Sequence, residues 1–336
     1  MGALTLVGCE RAAQPQFFEW LTFATTLRLT IYGSDEKTAR KAQAALKTKY
    51  DQINKDWYAW GDGELGRINH ELATTSTARV SAPLAQIIST ASQLNRQSQN
   101  TFSIRTAELS RAWGFDRFDA GNPPQRRPSK TTLAAALDSA SIAFRLEDLG
   151  MNDDSVRIVA ERPGLLLDLG GIAKGAALSV GLRTLRENGV ESAMIDAGGD
   201  LATLAGTQRS SFTVGLQAPR GSGVGSAIRI AAGECVMTSG DYARYWMIDG
   251  QRYQHIIDAN TGEPANGAQA ATVVGLDPTH ADAAATALVV GGAARFDELC
   301  DAMQVTDALL VDNKGRLTIT PEFRDRLIGQ TTVNER

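Results

Sequence analysis

Tyr245-Trp-Met-Ile248, Asp249-Gly250 and Arg252-Tyr-Gln-His-Ile-Ile257 read as two aromatic- and β-branched-rich runs hinged on an Asp-Gly pair. That pair tolerates the left-handed backbone that a tight two-residue hairpin turn demands, so the stretch predicts an antiparallel hairpin from Tyr245 to Ile257. Working outward, Phe23 to Tyr32 reads as a strand, and a helix follows Ser34-Asp35 with Ala42, Leu46, Tyr50 and Ile53 at helical spacing. A second helix begins at Ser81 with Pro83 in its first turn and Leu84, Ile87, Ile88, Ala91 and Leu94 on one face. Residues 119–130 form a Pro-rich loop before an Ala/Leu-rich helix from about Thr131. Leu165 to Asp168 predicts a short strand feeding a glycine turn, and the helix after it stops at Asn188-Gly189. Ala193 to Asp196 is a strand closed by Gly198-Gly199-Asp200, a helix covers roughly Ala281 to Val290, and Asp312-Asn-Lys-Gly315 turns a last hairpin. Hairpins mixed with helices argue for an α+β fold and against a doubly wound parallel sheet.

The chain has 336 residues, 43% of them hydrophobic and 21% charged, which excludes disorder and leaves room for a large core. A net charge of -4 with scattered Lys and Arg gives no basic face for nucleic acid. No run of eighteen apolar residues is present to span a membrane as a helix. Three His (His70, His255, His280) and three Cys are too few for a His/Cys zinc cluster, and Cys235 and Cys300 sit in apolar patterns as buried thiols, a disulfide between them being unforced. At the N-terminus, Leu6-Val7-Gly8-Cys9 closes a short apolar run and is similar to a bacterial lipobox, without the usual basic lead-in. Residues 1–20 are therefore expected to be a truncated lipoprotein signal and tether, and residues 21–336 the functional domain.

Three constellations carry chemistry. Asp168-Leu-Gly-Gly-Ile-Ala-Lys-Gly175 places glycines and Lys174 before a helix N-terminus, an arrangement that serves either a phosphate or a plain structural turn; it is neither a Walker loop nor a dinucleotide fingerprint. Asp282 and Thr286 lie four residues apart on one helix face as hard oxygen ligands suited to Mg²⁺, or alternatively as a helix cap and a back-bonded hydroxyl. Thr238-Ser-Gly-Asp-Tyr242 and His255-Ile-Ile-Asp258 surround a strand-end histidine with carboxylates and hydroxyls, which permits general-base work. A hydrolase triad lacks its Gly-x-Ser-x-Gly elbow.

In order, these segments together with Asp196-Ala-Gly-Gly-Asp200, Thr261-Gly262 and Ala281-Asp282 resemble the ApbE family of FAD:protein FMN transferases. Glu64-Leu-Gly-Arg-Ile-Asn69, Thr101-Phe102 and Trp113-Gly-Phe115 extend the likeness upstream, and Phe23-Ala-Thr25 stands where the family has Met-Gly-Thr. The resemblance implies a T-fold-like α+β architecture with mixed and antiparallel sheets, and FAD as substrate in a cleft. It implies Mg²⁺ held by Asp282, Thr286 and a main-chain carbonyl near Gly171. Asp168 and Lys174 would line the FAD site, with Phe23, Trp60, Thr101, Phe102, Ser103 and Ile256 around the flavin and adenosine moieties. A partner's Ser or Thr hydroxyl would attack the FMN-side phosphorus and release AMP. His255 is the expected base, with Asp258 or Asp241 orienting it. The implied partner is a flavoprotein carrying a Ser/Thr-Gly-Ala-Thr-like motif, at the periplasmic face of the inner membrane, with Cys9 as lipid anchor. Ser103, Asn100, Ala259, Ala176 and Ser179 depart from the family pattern, which bears on FAD contacts. Two other readings use the same residues: an FAD pyrophosphatase with water as nucleophile, and a non-catalytic FAD-binding lipoprotein.

Overall fold

The computed structural model describes residues 14–124, 126–149, 155–221 and 223–328. Its centre is an eight-stranded sheet in the order Gln16–Thr22, Thr25–Tyr32, Ser192–Ala197, Asp200–Leu204, Cys235–Gly240, Ala268–Gly275, Asp307–Asp312 and Leu317–Ile319. Every neighbouring pair is antiparallel. Because successive strand residues face opposite sides, the sheet feeds two cores. Ala202, Met237, Val273 and Leu310 face helices Glu36–Asp56, Ala173–Glu187 and Pro278–Gly291. Leu201, Val236, Val274 and Leu309 face a small antiparallel sheet of Ser211–Gln217, Val224–Ala231 and Leu327–Ile328, meeting Phe212, Val214 and Ile228. A third sheet (Phe144–Asp148, Ser155–Ala160, Thr77–Ser81) and the Tyr245–Ile248/Gln251–Gln254 hairpin complete the α+β body.

Local chemistry accounts for most boundaries. Asp35 caps the first helix by accepting the Thr38 N–H at 3.0 Å, and Ser129 caps Lys130–Ser141 by accepting the Thr132 N–H at 3.0 Å. Asp249 and Gly250 both have positive φ (51° and 76°), the primed turn that the sequence predicts. Gly198 and Gly199 (70° and 99°) make a second such turn and deliver Asp200 at its far end.

Three expectations are corrected. Phe23 does not begin a strand: Phe23 and Ala24 (φ 51° and 55°) form the turn between Gln16–Thr22 and Thr25–Tyr32. Gln16–Thr22, expected in the tether, is thereby an edge strand of the main sheet, whereas Cys9 falls outside the described residues. Leu165–Asp168 joins no sheet, because the side chain of buried Asn69 does a neighbouring strand's work. Its Oδ1 accepts the Leu167 N–H and its Nδ2 donates to the Leu167 carbonyl, both at 2.8 Å. Cys235 and Cys300 are buried free thiols, each pushed up to about 12 by burial.

Candidate active site

The site forms where one end of the main sheet meets the N-terminus of Ala173–Glu187 and the flank of Pro278–Gly291. Glycine makes that meeting possible: a Cβ on Gly175 would lie 2.1 Å from the Pro278 carbonyl oxygen and 2.7 Å from the Asp282 Cβ. With the helices this close, the Gly175 N–H donates to Asp282 Oδ2 at 2.8 Å. The anion at this helix N-terminus is therefore a carboxylate of the protein itself. Asp282 is not a cap of its own helix; Asp277 takes that role, accepting the Thr279 N–H at 2.9 Å. Nor does Thr286 bond back along its helix. Its hydroxyl meets Ser239 Oγ at 3.1 Å and donates to the Gly171 carbonyl at 3.4 Å.

Lys174 pairs with Asp200, which also accepts the Thr238 N–H at 2.8 Å. Asp200 and Asp282 are 2% and 4% exposed, and the Lys174 ammonium, paired with Asp200, also feels the charge of Asp282. Burial, then the charge of Asp200, pushes the Asp282 carboxyl up to about 7. Burial pulls Lys174 down, but Asp200 and Asp282 outweigh it and hold the ammonium above its ordinary value. The cluster is thus short of positive charge. Among the described residues no three His, Cys, Asp or Glu converge as metal ligands. What converges is one carboxylate (Asp282), the hydroxyls of Thr286 and Ser239, and the Gly171 carbonyl. That donor set suits a hard cation completing its shell with water and phosphate oxygens, and does not suit zinc.

His255 lies at the same end. Its Nδ1 sits 3.1 Å from the Arg244 carbonyl, which also accepts the His255 backbone N–H at 3.1 Å. Nδ1 therefore carries the proton and Nε2 the free lone pair. Burial, then the charges of Arg244 and Lys174, lowers the imidazole to about 3 and keeps it neutral at pH 7. Neither expected orienter holds the ring. Asp258 closes its own turn, accepting the Asn260 N–H at 2.9 Å and the Thr261 hydroxyl at 3.2 Å. Asp241 is gripped by both Arg220 Nη atoms. Asp168 accepts the Gly170 N–H at 2.9 Å, and burial raises its carboxyl against that bond and the charge of Arg244.

The remaining expected contacts distribute more widely. Phe102 is buried with its ring against Gly171, where a Cβ would come within 3.3 Å of it. Phe23 stacks edge-on against Tyr50 at 5.2 Å, and its N–H donates to Asn54 Oδ1. A bulky residue at positive φ is strained, and such strain is typical of ligand-contacting turns. The Trp60 ring receives the Arg111 guanidinium at 5.4 Å, Thr101 Oγ1 accepts Arg295 Nη1 at 2.7 Å, and Ile256 is buried beside His255. Ser103 bonds the Arg105 N–H at 3.2 Å and is not part of the Lys174 cluster. Sequence reasoning weighed Ser239 only as the nucleophile of a hydrolase triad with His255, and gave no role to Asp200 or Arg244. Asp200 was legible as the carboxylate ending Gly198-Gly199; a backbone carbonyl such as that of Arg244 leaves no residue-type signal.

The ApbE family model matches residues 23–310. The FAD:protein FMN transferase of Rhodobacter capsulatus is 33% identical over 305 residues, covering 91% of this chain but 57% of that protein's length. The FAD:protein FMN transferase of Klebsiella pneumoniae (strain 342) is 26% identical over 346 residues, covering 98% of this chain and 97% of its own. Among solved structures, the ApbE protein of Thermotoga maritima MSB8 superposes with a TM-score of 0.82 at 26% identity, over 94% of this chain and all of that one. The match spans both helices and all the strands that build the Lys174–Asp282 cluster, so fold and site arrive together: this chain belongs to the ApbE family.

Proposed function

We propose that this protein transfers FMN from FAD to a Ser or Thr hydroxyl of an acceptor flavoprotein, releasing AMP. The observation carrying the proposal is the convergence of Lys174, Asp200, Asp282, Thr286, Ser239 and the Gly171 carbonyl at one helix N-terminus. Mg²⁺ fits the oxygen donors of Asp282, Thr286 and Gly171, and when bound it supplies neutralisation of the charge that develops on the pyrophosphate. Lys174 contributes a second, fixed positive charge, kept protonated by its two carboxylates. The acceptor oxygen bonds to the FMN-side phosphorus, the bond from that phosphorus to the bridging oxygen breaks, and AMP leaves with that oxygen. The hydroxyl proton passes to His255 Nε2. An incoming pyrophosphate offsets the charges of Arg244 and Lys174 that depress the imidazole, so substrate binding itself makes His255 a better base. The acceptor motif Ser/Thr-Gly-Ala-Thr, the periplasmic face of the inner membrane and a lipid anchor at Cys9 belong to the same reading; the location and the anchor have the Leu6–Cys9 run as their support.

The test is a product balance. Protein, FAD, Mg²⁺ and an acceptor domain bearing that motif are incubated, and AMP, free FMN and acceptor-bound flavin are quantified. Equal AMP and acceptor-bound flavin supports transfer. AMP with free FMN and an unmodified acceptor makes the enzyme a pyrophosphatase, and FAD retained intact makes it a flavin binder.

A further inference from the structure

The segment after Phe102 has a second side. Phe102 turns its ring toward Gly171, whereas Ser103 and Arg105 line a cavity of about 160 Å³ with Ser92, Asn95, Arg96 and Phe144. None of these residues belongs to the Lys174 cluster. The cavity is polar and short of negative charge. Arg105 is half-buried, and among the described residues its guanidinium bonds only neutral acceptors, Asn100 Oδ1 at 3.1 Å and the Ile142 carbonyl at 3.4 Å. Among the described residues neither Arg105 nor Arg96 forms an ion pair. Burial disfavours the Arg105 charge, and a partly buried cation without a counter-ion is costly unless something anionic meets it.

We propose that this cavity is an oxyanion site, separate from the Lys174–Asp282 cluster, that takes a phosphate- or carboxylate-bearing small molecule between Arg105 and Arg96. Three of the five guanidinium N–H groups of Arg105 remain after its two bonds. Ser103 Oγ accepts from the Arg105 N–H, which leaves its hydroxyl proton to donate. Ser92 and Asn95 are already spent on the Ile88 carbonyl and on Asn100 and Phe102, so they shape the wall without binding. The volume equals that of about five waters, enough for a phosphate monoester head and too small for a dinucleotide.

The experiment is calorimetric titration of inorganic phosphate, and separately of succinate, into the full chain saturated with FAD, so that the Lys174 cluster is already occupied. One phosphate or one succinate is expected per chain, and whichever binds tighter identifies the source of the oxyanion. Arg105→Gln should weaken binding by about tenfold or more, the worth of a charge-assisted pair. Ser103→Asp, which sets a carboxylate beside Arg105, should do the same while the chain remains folded by circular dichroism. Arg96→Gln, at an exposed position, should weaken binding in the same direction and guards against misfolding of the other two. Absence of binding, binding indifferent to all three substitutions, or binding seen only without FAD would overturn the proposal.

Discussion

Gly175→Ala tests whether the helix–helix contact holds the site. The new methyl would lie 2.1 Å from the Pro278 carbonyl oxygen, 2.7 Å from its carbon and 2.7 Å from the Asp282 Cβ. Two of these are backbone atoms of Pro278–Gly291, so the helices must separate. Such overpacking costs about 1–3 kcal/mol. Separation also stretches the 2.8 Å bond from the Gly175 N–H to Asp282 Oδ2, and losing a bond to a buried carboxylate adds about 1–2 kcal/mol. The combined loss is about 2–5 kcal/mol. With about 2.1 cal/mol/K of unfolding entropy per residue over roughly 300 residues, Tm should fall by about 3–8 °C. Gly170→Ala is the control, since a Cβ there meets only Asp168 Oδ1 at 3.2 Å. Scanning calorimetry of the three proteins, with FMN transfer measured alongside, should show Gly175→Ala destabilised and nearly inactive and Gly170→Ala close to parental stability. A Gly175→Ala protein that melts within 1 °C of the parent and transfers FMN normally would refute the reasoning.

Asn69→Leu strands the buried Leu167 N–H and carbonyl together, so stability should fall by about 2–4 kcal/mol, and hydrogen exchange should accelerate selectively across residues 165–175. His255 should stay neutral with its proton on Nδ1 down to pH 5, read from its ¹⁵N shifts. Because folding lowers its pKa from 6.5 to about 3, its contribution to stability is complete above pH 6.5 and is lost as pH falls toward 3. His255→Ala should bind FAD normally yet transfer FMN at least about a hundredfold more slowly, the usual worth of a general base; parental rates would remove His255 from the mechanism. In a Cys9→Ser background, Cys235 and Cys300, with thiols near 12, should resist aromatic disulfide reagents at pH 8 until denaturant is added, and rapid native labelling of either would contradict their burial.

What could be read from the sequence was local. Capped helices after Asp35 and Ser129, the Asp249-Gly250 and Gly198-Gly199 turns and the shared face of Asp282 and Thr286 each follow from residues within a few positions of one another. What could not be read was set by distant partners. Leu165–Asp168 has strand composition, yet Asn69, 98 residues earlier, satisfies its backbone. Phe23 looks like a strand residue and adopts a glycine-like turn because Asn54 and Tyr50 hold it there. Ala268–Gly275 lies in mid-sheet and is buried on both faces, so it lacks the alternation that marks a half-buried strand. At the site, the helix-cap reading of Asp282 was locally reasonable. Only the approach of Gly175 from another helix turns that carboxylate into a site residue.

The central claim is that the Asp282 carboxylate organises flavin transfer, and acceptor mass tests it most directly. Parent and Asp282→Asn proteins are each incubated with FAD and acceptor, with Mg²⁺ or with EDTA, and the acceptor is weighed by intact-protein mass spectrometry. The account predicts an FMN-sized gain for the parent with Mg²⁺ alone, and an unmodified acceptor in the other three mixtures. An equal gain with Asp282→Asn, or with EDTA, would contradict it.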